Sequence, residues 1–524
     1  MKKYEHAFGK NDIRGIYGED ITEELYYNTG RGFVEWLKKQ SGKEPSKMWI
    51  TVTRDARLHS PALEKSLTDG ITSTGANVIK LGLAPTPIGY YSEVVGVSGY
   101  DIIAAAIITA SHNPSEYNGL KMTYNNRTLT EKQIAEVKDI TFNKFSPLPL
   151  GADCEPRLEQ FCKEPKALRQ NAELPFNASN QAEGRILNEL ASCKNSGEGQ
   201  VTEYNIIPDY IKEMKEKFGY IGKGVKVVVD SANATGGIVG PQLYKELGCD
   251  VIELFSNPDG RFPNHHPNPS VEKTLDILKE VVVDNKADIG IAYDGDSDRI
   301  GIIDAQGRFL TGDKLLLIYA MDLINNGKKP TVVSEVKCSQ VLFDQINLHG
   351  GQAVMCKTGH GYIKDKMKET NAELAGEMSG HTFFKDRYYG FDDAIYAGCR
   401  IIEIIAKNKK SNPNFTISDL LKPFDEVCSS SEVRFPCPNE LKKETLEKVK
   451  KCVEANANMF GSEIKDIITL DGMRIVFDGG FALIRQSNTE PVFTLRFEAK
   501  NKEECDRFKS CMINTLEQIL SDKC

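Results

Sequence analysis

DIIAAAIITASHNPSEYNGLKM, residues 101–122, predicts a buried strand that runs into a polar loop. Ser111 lies in that loop, directly after the apolar run Ile102–Ala110. Loops at the carboxyl ends of parallel strands hold the sites of α/β enzymes. A serine at such a place is either a turn former or helix cap, or a reactive group. No G-x-S-x-G motif is present, so the stretch gives no support to acyl transfer.

Outward from this strand, a strand–helix–strand pattern recurs three times, which predicts three similar α/β domains. The copies open with MWITVTRDAR, VKVVVDSANAT and PTVVSEVKCSQ, near residues 48, 225 and 331. After about Val427 the pattern changes to long amphipathic helices around two β-like runs, which is typical of an α+β domain. The predicted domains are 1–150, 202–310, 311–426 and 427–524, with 151–201 as a polar insert or linker.

Composition limits the function further. A chain of 524 residues exceeds what one hydrophobic core usually serves. The 13 cysteines include no CxxC pair, which favours reduced thiols in the cytoplasm. A net charge of -8 argues against a nucleic-acid partner. We expect no membrane segment and no secretory signal, because the apolar runs are short and the N-terminus has none. Composition does not indicate the oligomeric state.

The stretch ADIGIAYDGDSDRIGIID contains a candidate metal site. Asp294, Asp296 and Asp298 alternate in a loop between two apolar runs, so their carboxylates point to one side. Three hard oxygen ligands suit Mg²⁺. An EF-hand would need Gly at Arg299 and Glu at Ala305, and is rejected. An acidic hairpin tip remains the plain alternative.

Two further segments carry polar side chains of mixed chemistry. In LAGEMSGHTFF, Glu377, Ser379 and His381 alternate, and together they can match the hydroxyls of a sugar. Upstream, KTGHGYIK supplies His360, which could transfer protons near neutral pH or be structural.

The last segment, FALIRQSNTEPVFTLRFEA, predicts a loop between two strands of the final domain. Its polar residues suit a phosphate, because arginine makes bidentate contacts. A hairpin turn without function is the alternative. The candidate phosphate ligands are Arg485, Ser487, Asn488 and Thr489.

Taken in order, TASHNP, DGDSDR, GEMSGH and RQSNTEP resemble the phosphoserine, metal, sugar and phosphate loops of the α-D-phosphohexomutase superfamily. The likeness covers nearly the whole chain. The sequence GEMSGH, together with KTGHGYIK, NDIRG and FPNHHPNP, is most similar to that of the bacterial phosphomannomutase/phosphoglucomutase branch. The resemblance implies four domains around a central cleft.

It also implies a chemistry: Ser111 is carried as phosphoserine, and Mg²⁺ is held by its phosphate and the three aspartates. The phosphoserine donates to a hexose 1- or 6-phosphate, and the resulting hexose 1,6-bisphosphate turns over before its other phosphate returns to Ser111. Arg299 would orient the phosphoryl group. The positions that match other residues of the family's reaction centre are Arg14, Lys121, Lys337 and His360, with Lys121 the first candidate for proton acceptor and His360 the second.

Some alternatives remain open. Glucose, mannose or both could be the sugar, and a phosphoglucosamine mutase or a metal-dependent sugar phosphatase would share parts of the pattern. Ser297 stands where the family commonly has glycine, which is tolerated at negative φ and strained otherwise. The stretch 151–201 is longer than the resemblance leads us to expect.

Overall fold

The computed structural model describes residues 2–145, 197–424, 427–456, 458–487 and 491–521. These residues form four β-sheets, each packed against helices. Of the predicted insert, 151–201, residues 151–196 lie outside the described residues. Its last residue, Val201, begins a strand that pairs with the first sheet.

The first sheet has the order β1-β5-β4-β2-β3-β6. Its strands are β1 (Ile13–Ile16), β2 (Trp49–Arg54), β3 (Asn77–Leu83), β4 (Ala104–Ile108), β5 (Tyr117–Met122) and β6 (Val201–Glu203). Its helices are α1 (Glu23–Ser41), α2 (Ser60–Thr72), α3 (Thr86–Val95) and α4 (Glu131–Lys144). Every residue of β4 is buried, as its apolar sequence predicts.

The second sheet has the order β11-β10-β9-β7-β8. Its strands are β7 (Lys226–Asp230), β8 (Asp250–Leu254), β9 (Ile289–Tyr293), β10 (Ile300–Asp304) and β11 (Phe309–Leu310). The associated helices are α5 (Ile207–Phe218), α6 (Gly240–Glu246) and α7 (Asp276–Asp284).

The third sheet has the order β13-β12-β14-β15. Its strands are β12 (Thr331–Glu335), β13 (Gln352–Cys356), β14 (Leu374–Gly376) and β15 (Thr382–Phe384). Its helices are α8 (Gly312–Asn325), α9 (Gln340–Leu348), α10 (His360–Thr370) and α11 (Ala394–Lys409). Short 3-10 helices occur at Lys2–Ala7, Pro45–Lys47, Thr235–Ile238, Glu272–Leu275 and Ile417–Leu421.

These three sheets share one topology. In each, a central strand pairs in parallel with the next two strands of the chain, and the third then pairs antiparallel with a fourth. Three candidate site loops therefore occupy equivalent positions: β4 to β5, β9 to β10 and β14 to β15. The threefold repeat predicted from sequence is confirmed.

The fourth sheet is antiparallel and differs from the others. Its strands are β16 (Cys428–Ser429), β17 (Val433–Pro436), β18 (Asp466–Ile468), β19 (Met473–Phe477), β20 (Gly480–Gln486) and β21 (Val492–Ala499). Its helices α12 (Asn439–Ala455) and α13 (Lys502–Ser521) share a separate hydrophobic core with the strands. This is the α+β domain that the sequence predicts.

Across the described ranges, no helix combines the length and the apolar character needed to cross a membrane.

Candidate active site

Ser111 is held in an unusual backbone conformation at the end of β4. Its φ of +51° lies in the left-handed region, and its side chain is buried. Its N–H donates to Thr109 Oγ1 at 2.9 Å, and its carbonyl accepts from Arg57 Nη2 at 2.9 Å. A left-handed serine costs about 1–3 kcal/mol and persists only where its surroundings fix it, so the loop holds Ser111 in one orientation.

The metal loop lies directly against this serine. Ser111 Oγ donates to Asp294 Oδ2 at 2.7 Å. A Cβ on Gly295 would lie 2.3 Å from the Ser111 carbonyl oxygen, so only glycine permits this approach. The two loops belong to different sheets, and the fold brings them together.

The three predicted carboxylates converge. Asp294, Asp296 and Asp298 are fully buried, and each offers an oxygen within 4.8 Å of the others. Asp296 Oδ1 and Asp298 Oδ1 accept no hydrogen bond from the described residues. Buried anionic oxygens without partners are costly unless a cation meets them, so the donor set fits a divalent ion such as Mg²⁺.

Lys121 already supplies one positive charge to this cluster. Its Nζ donates to Asp296 Oδ2 at 2.7 Å and to Asp298 Oδ2 at 2.5 Å. Burial alone lowers the pKa of Lys121, but the two aspartates outweigh burial and raise it well above its usual value. In this structure Lys121 is a cation paired with two aspartates, so it is not free to accept a proton.

The pKa values of Asp294 and Asp298 are shifted in opposite directions. Burial, then the charges of Asp298 and Asp296, raises the pKa of Asp294 well above its usual range. Burial also disfavours the charge of Asp298, yet Lys121 and then His381 lower its pKa. Asp294 is therefore the carboxyl that can keep a proton beside Ser111, whereas Asp298 stays ionised.

Thr86, at the start of α3, ties the first domain to the metal loop. Its N–H donates to the Asp296 carbonyl at 2.8 Å, and its hydroxyl donates to Asp296 Oδ2 at 2.6 Å. The sequence reasoning missed this residue. Its position at the start of an apolar segment indicated a helix terminus, but nothing local identified its partner 210 residues away.

Arg299 and His381 connect the metal loop to the sugar loop. Arg299 Nε donates to His381 Nε2 at 3.0 Å, so the neutral ring carries its proton on Nδ1. That nitrogen lies 3.1 Å from Asp392 Oδ2 and 3.6 Å from Asp298 Oδ1. Asp392 also pairs with Lys364 at 2.7 Å. Asp392 was not predicted as a site residue, and Lys364 was noted in KTGHGYIK without a role.

The other sugar-loop residues lie close together, as their alternation predicts. Glu377 accepts the Gly359 N–H at 2.8 Å and the Ser379 hydroxyl at 3.2 Å. Burial, then the charge of Glu335, raises the pKa of Glu377. Lys337 Nζ lies 3.6 Å from Glu335 Oε1, which connects Lys337 to this group.

Arg14 and His360 belong to different domains and both lie near the centre. Arg14 Nη1 donates to Asn113 Oδ1 at 2.9 Å, and the guanidinium also pairs with Asp12. His360 begins α10, with its ring centre 5.7 Å from that of His381. Burial, then Lys364, lowers the pKa of His360 well below its usual value. His360 is neutral at pH 7.

The phosphate loop of the last domain reaches the same region through Asp471. Asp471 Oδ2 accepts from Arg485 Nε at 3.2 Å and from the Thr358 N–H at 3.1 Å. Ser487 N–H donates to the Val492 carbonyl at 3.1 Å. Asn488 and Thr489 lie outside the described residues.

The chain matches four descriptions of one family along its length. These are the phosphoglucomutase/phosphomannomutase alpha/beta/alpha domain I (residues 5–147), domain II (208–307) and domain III (311–424), and the C-terminal domain (432–514).

Named relatives agree with this match. The chain is 35% identical over 518 residues to a phosphomannomutase/phosphoglucomutase of Pseudomonas aeruginosa, covering 98% of this chain and 96% of the relative. It is 34% identical over 505 residues to a phosphoglucomutase of Neisseria meningitidis serogroup A, covering 96% and 95%.

Among solved structures, a phosphoglucomutase/phosphomannomutase family protein from Burkholderia thailandensis superposes with a TM-score of 0.80 at 30% identity, covering 98% of each chain. An N-acetylphosphoglucosamine mutase of Aspergillus fumigatus gives a TM-score of 0.57 at 15% identity, covering 99% of this chain and 98% of the other. At that identity the likeness shows the fold alone.

Proposed function

The chain belongs to the phosphoglucomutase/phosphomannomutase family, and from that premise we propose that it interconverts hexose 1-phosphates and hexose 6-phosphates. Glucose and mannose phosphates are the proposed substrates, and a hexose 1,6-bisphosphate is the proposed intermediate and activator. The 2.7 Å hydrogen bond from Ser111 Oγ to Asp294 carries the proposal, because it places a nucleophile against a cluster of carboxylates suited to a divalent metal.

In this proposal Ser111 carries the phosphoryl group, and Asp294, Asp296 and Asp298 hold Mg²⁺. The ion supplies charge neutralisation to the transferring phosphoryl group, which phosphoryl transfer needs more than covalent chemistry. Lys121 adds a fixed positive charge beside the same carboxylates.

The sugar and its second phosphate are assigned to the remaining loops. Glu377, Ser379 and His381 bind the sugar hydroxyls, with Lys337 close by. The phosphate that is not reacting is assigned to Arg485, Ser487, Asn488 and Thr489. Arg14, Arg299 and His360 line the reaction centre, where His360 is the second candidate for proton acceptor after Lys121.

The cytoplasm is the proposed location. The nine described cysteines are reduced thiols, which suits a reducing compartment.

A coupled assay tests the proposal directly. Wild type and Ser111→Ala are each given glucose 1-phosphate, mannose 1-phosphate or glucosamine 1-phosphate, with Mg²⁺ and with or without glucose 1,6-bisphosphate. We expect 6-phosphate formation that the bisphosphate stimulates, that chelation of Mg²⁺ abolishes, and that is lost in Ser111→Ala.

Three outcomes would contradict the proposal. Release of inorganic phosphate without 6-phosphate would indicate a phosphatase, in which water attacks the phosphoenzyme. Full isomerisation by Ser111→Ala would remove the serine from the mechanism. A rate higher with glucosamine 1-phosphate than with the other sugars would replace the proposed substrates.

A further inference from the structure

A cavity of about 380 Å³ lies between the first and third domains. One wall is formed by the turn before α4 and by the first turn of α4, with Arg127 and Lys132. The other wall is the start of α10, with His360 and Lys364. We call this space the seam cavity. Its volume lies within the range of small-molecule sites, about 300–1,000 Å³.

A smaller space of about 130 Å³ continues it. Arg127, Thr128 and Lys364 line both spaces, and Lys368 and Lys385 line the second. The two spaces together are lined by six cationic side chains and three acidic ones. The cations are Lys10, Arg127, Lys132, Lys364, Lys368 and Lys385, and the acids are Glu93, Glu131 and Asp365.

Three of these cations make neither an ion pair nor a side-chain hydrogen bond within the described parts of the chain. Arg127, Lys132 and Lys368 form no ion pair and no side-chain hydrogen bond there, whereas Lys364 is paired with Asp392. The chain as a whole carries a net charge of -8, so acidic residues are not scarce. Unpaired cations on facing walls create a positive potential that attracts an anion.

The backbone at the start of α10 adds to this potential. Gly359 precedes the helix and supplies no side-chain cap, and the first turn contains no acidic residue. The first N–H groups of such a helix favour an anion. His360 and Gly361 in this turn both line the cavity.

The seam cavity adjoins the candidate active site. His360 lines the cavity, and its ring centre lies 5.7 Å from that of His381. Lys364 pairs with Asp392, which contacts His381 at 3.1 Å. An anion in the cavity would thus lie on the outer side of the network that surrounds the carboxylate cluster.

Resting on the proposed function, we propose that the seam cavity is an outer phosphate-binding site for a phosphate monoester dianion. Its ligand is the hexose bisphosphate intermediate, held there by one phosphate while that intermediate is away from Ser111. Arg127 and Lys132 bind the phosphate, and their role is retention of the intermediate rather than phosphoryl transfer.

The test uses charge reversal in the full chain, Arg127→Glu combined with Lys132→Glu. Both side chains are exposed, so the fold should tolerate the change, which thermal unfolding checks. The matched control is Lys138→Glu, on the same helix α4 but outside both spaces. The first measurement is the glucose 1,6-bisphosphate concentration that gives half-maximal mutase rate.

We expect that concentration to rise about tenfold in the double variant, as loss of two charge-assisted contacts implies, and to stay unchanged in the control. In the absence of added bisphosphate, labelled intermediate should escape into solution more often per turnover. An unchanged activator requirement, or an equal rise in Lys138→Glu, would overturn the proposal.

Calorimetric titration with inorganic phosphate separates this proposal from the proposed function. Wild type should bind phosphate more tightly than the double variant, by a similar factor, whether or not the chain is a mutase. Equal phosphate affinity overturns the site. If wild type lacks mutase activity but the affinity still falls in the double variant, the phosphate site stands and its assignment to the intermediate is overturned.

Discussion

Ser297 occupies the metal loop with a φ of +61°, in the left-handed region. The sequence raised two possibilities for this residue, and the structure shows the strained one. Its carbonyl accepts the Ala394 N–H at 3.2 Å, and its N–H donates to the Asp294 carbonyl at 3.2 Å. These bonds fix the conformation that brings Asp294 and Asp298 to the same side.

From this strain we predict which of two variants at Ser297 is the more stable. Ser297→Gly should be more stable than Ser297→Ala by about 1 kcal/mol, because only glycine adopts the left-handed conformation without steric cost. Urea unfolding at pH 7 measures the difference. A more stable alanine variant would show that the backbone here is not strained. Ser270, an exposed serine outside the helices and strands, serves as the control position.

Glu93 is a second residue whose position in the fold lowers the stability of the folded state. It is buried on α3 and accepts hydrogen bonds from the Asn126 N–H at 2.6 Å and from Thr123. Burial raises its pKa from 4.5 to about 7. Since the unfolded chain ionises this carboxyl first, the folded state loses stability as the pH rises from about 4.5 to 7.

We therefore predict that Glu93→Gln gains stability relative to wild type over that pH interval, by roughly 3 kcal/mol at pH 8 compared with pH 4.5. Denaturant unfolding at both pH values measures it. Exposed Glu116→Gln is the control and should show no such gain. A gain at low pH in place of high pH would refute the assigned direction of the pKa shift.

At the scale of elements, Arg57 fastens the Ser111 loop to the end of β2. Its buried guanidinium donates to the carbonyls of Ser111 (2.9 Å), Asn113 (2.7 Å) and Tyr117 (3.0 Å), and also to that of Pro114. Asp55 balances its charge at 3.0 Å. One planar group thus binds four carbonyls of the loop that carries Ser111.

Arg57→Lys keeps the charge but loses the fork of donors. We expect a loss of about 2–4 kcal/mol in stability, because buried carbonyls are left without partners. We also expect a decrease in kcat with little change in KM, since the loop that orients Ser111 loosens. Steady-state kinetics and unfolding measure the two effects, with Arg261→Lys, an exposed arginine, as control. A rise in KM alone would contradict a role in positioning Ser111.

The same elements show which parts of the fold could be predicted from the sequence. Apolar strands that end in polar loops predicted β4 and β9 and the loops after them, because burial and turn chemistry are local properties. The loop after β14 was predicted from the alternation of its polar residues. Strand β6 was not predicted, since all three of its residues are exposed and have no apolar alternation. Arg57 follows β2 as Ser111 follows β4, so strand-end reasoning could have found it.

Side-chain contacts between different domains could not be predicted from local sequence patterns. Lys121 meets Asp296 across 175 positions of the chain, and Ser111 meets Asp294 across 183. Which residues meet depends on how whole sheets dock, and no local period encodes this. The sequence pattern thus predicted the candidate residues of the site, but not that Lys121 is a charge-paired cation in this structure.

At the scale of the whole molecule, two arginines join the last domain to the third. Buried Arg474 donates to the carbonyls of Val336 and Cys338, the latter at 2.9 Å. Arg496 donates to the Lys337 carbonyl. The turn after β12, which carries Lys337, is therefore held from the domain that carries the phosphate loop.

Arg474 remains charged although it is buried. Burial lowers its pKa to about 10, so the guanidinium is protonated at pH 7, and its face stacks 3.6 Å from the ring centre of Phe481. Arg474→Ala would leave two buried carbonyls without donors and open a space beside that ring. The direct effect falls on the contact between the two domains, because the core of the last domain is formed by other residues.

We therefore predict that Arg474→Ala uncouples the last domain. Scanning calorimetry should show a separate transition at lower temperature, where wild type unfolds with the two domains coupled. KM for hexose phosphate should rise severalfold, because Arg485 reaches the third domain through Asp471 and Thr358. Exposed Arg434→Ala, in the same domain, is the control. One transition shifted to lower temperature with KM unchanged would mean that Arg474 stabilises the fold without coupling the phosphate loop to the sugar loop.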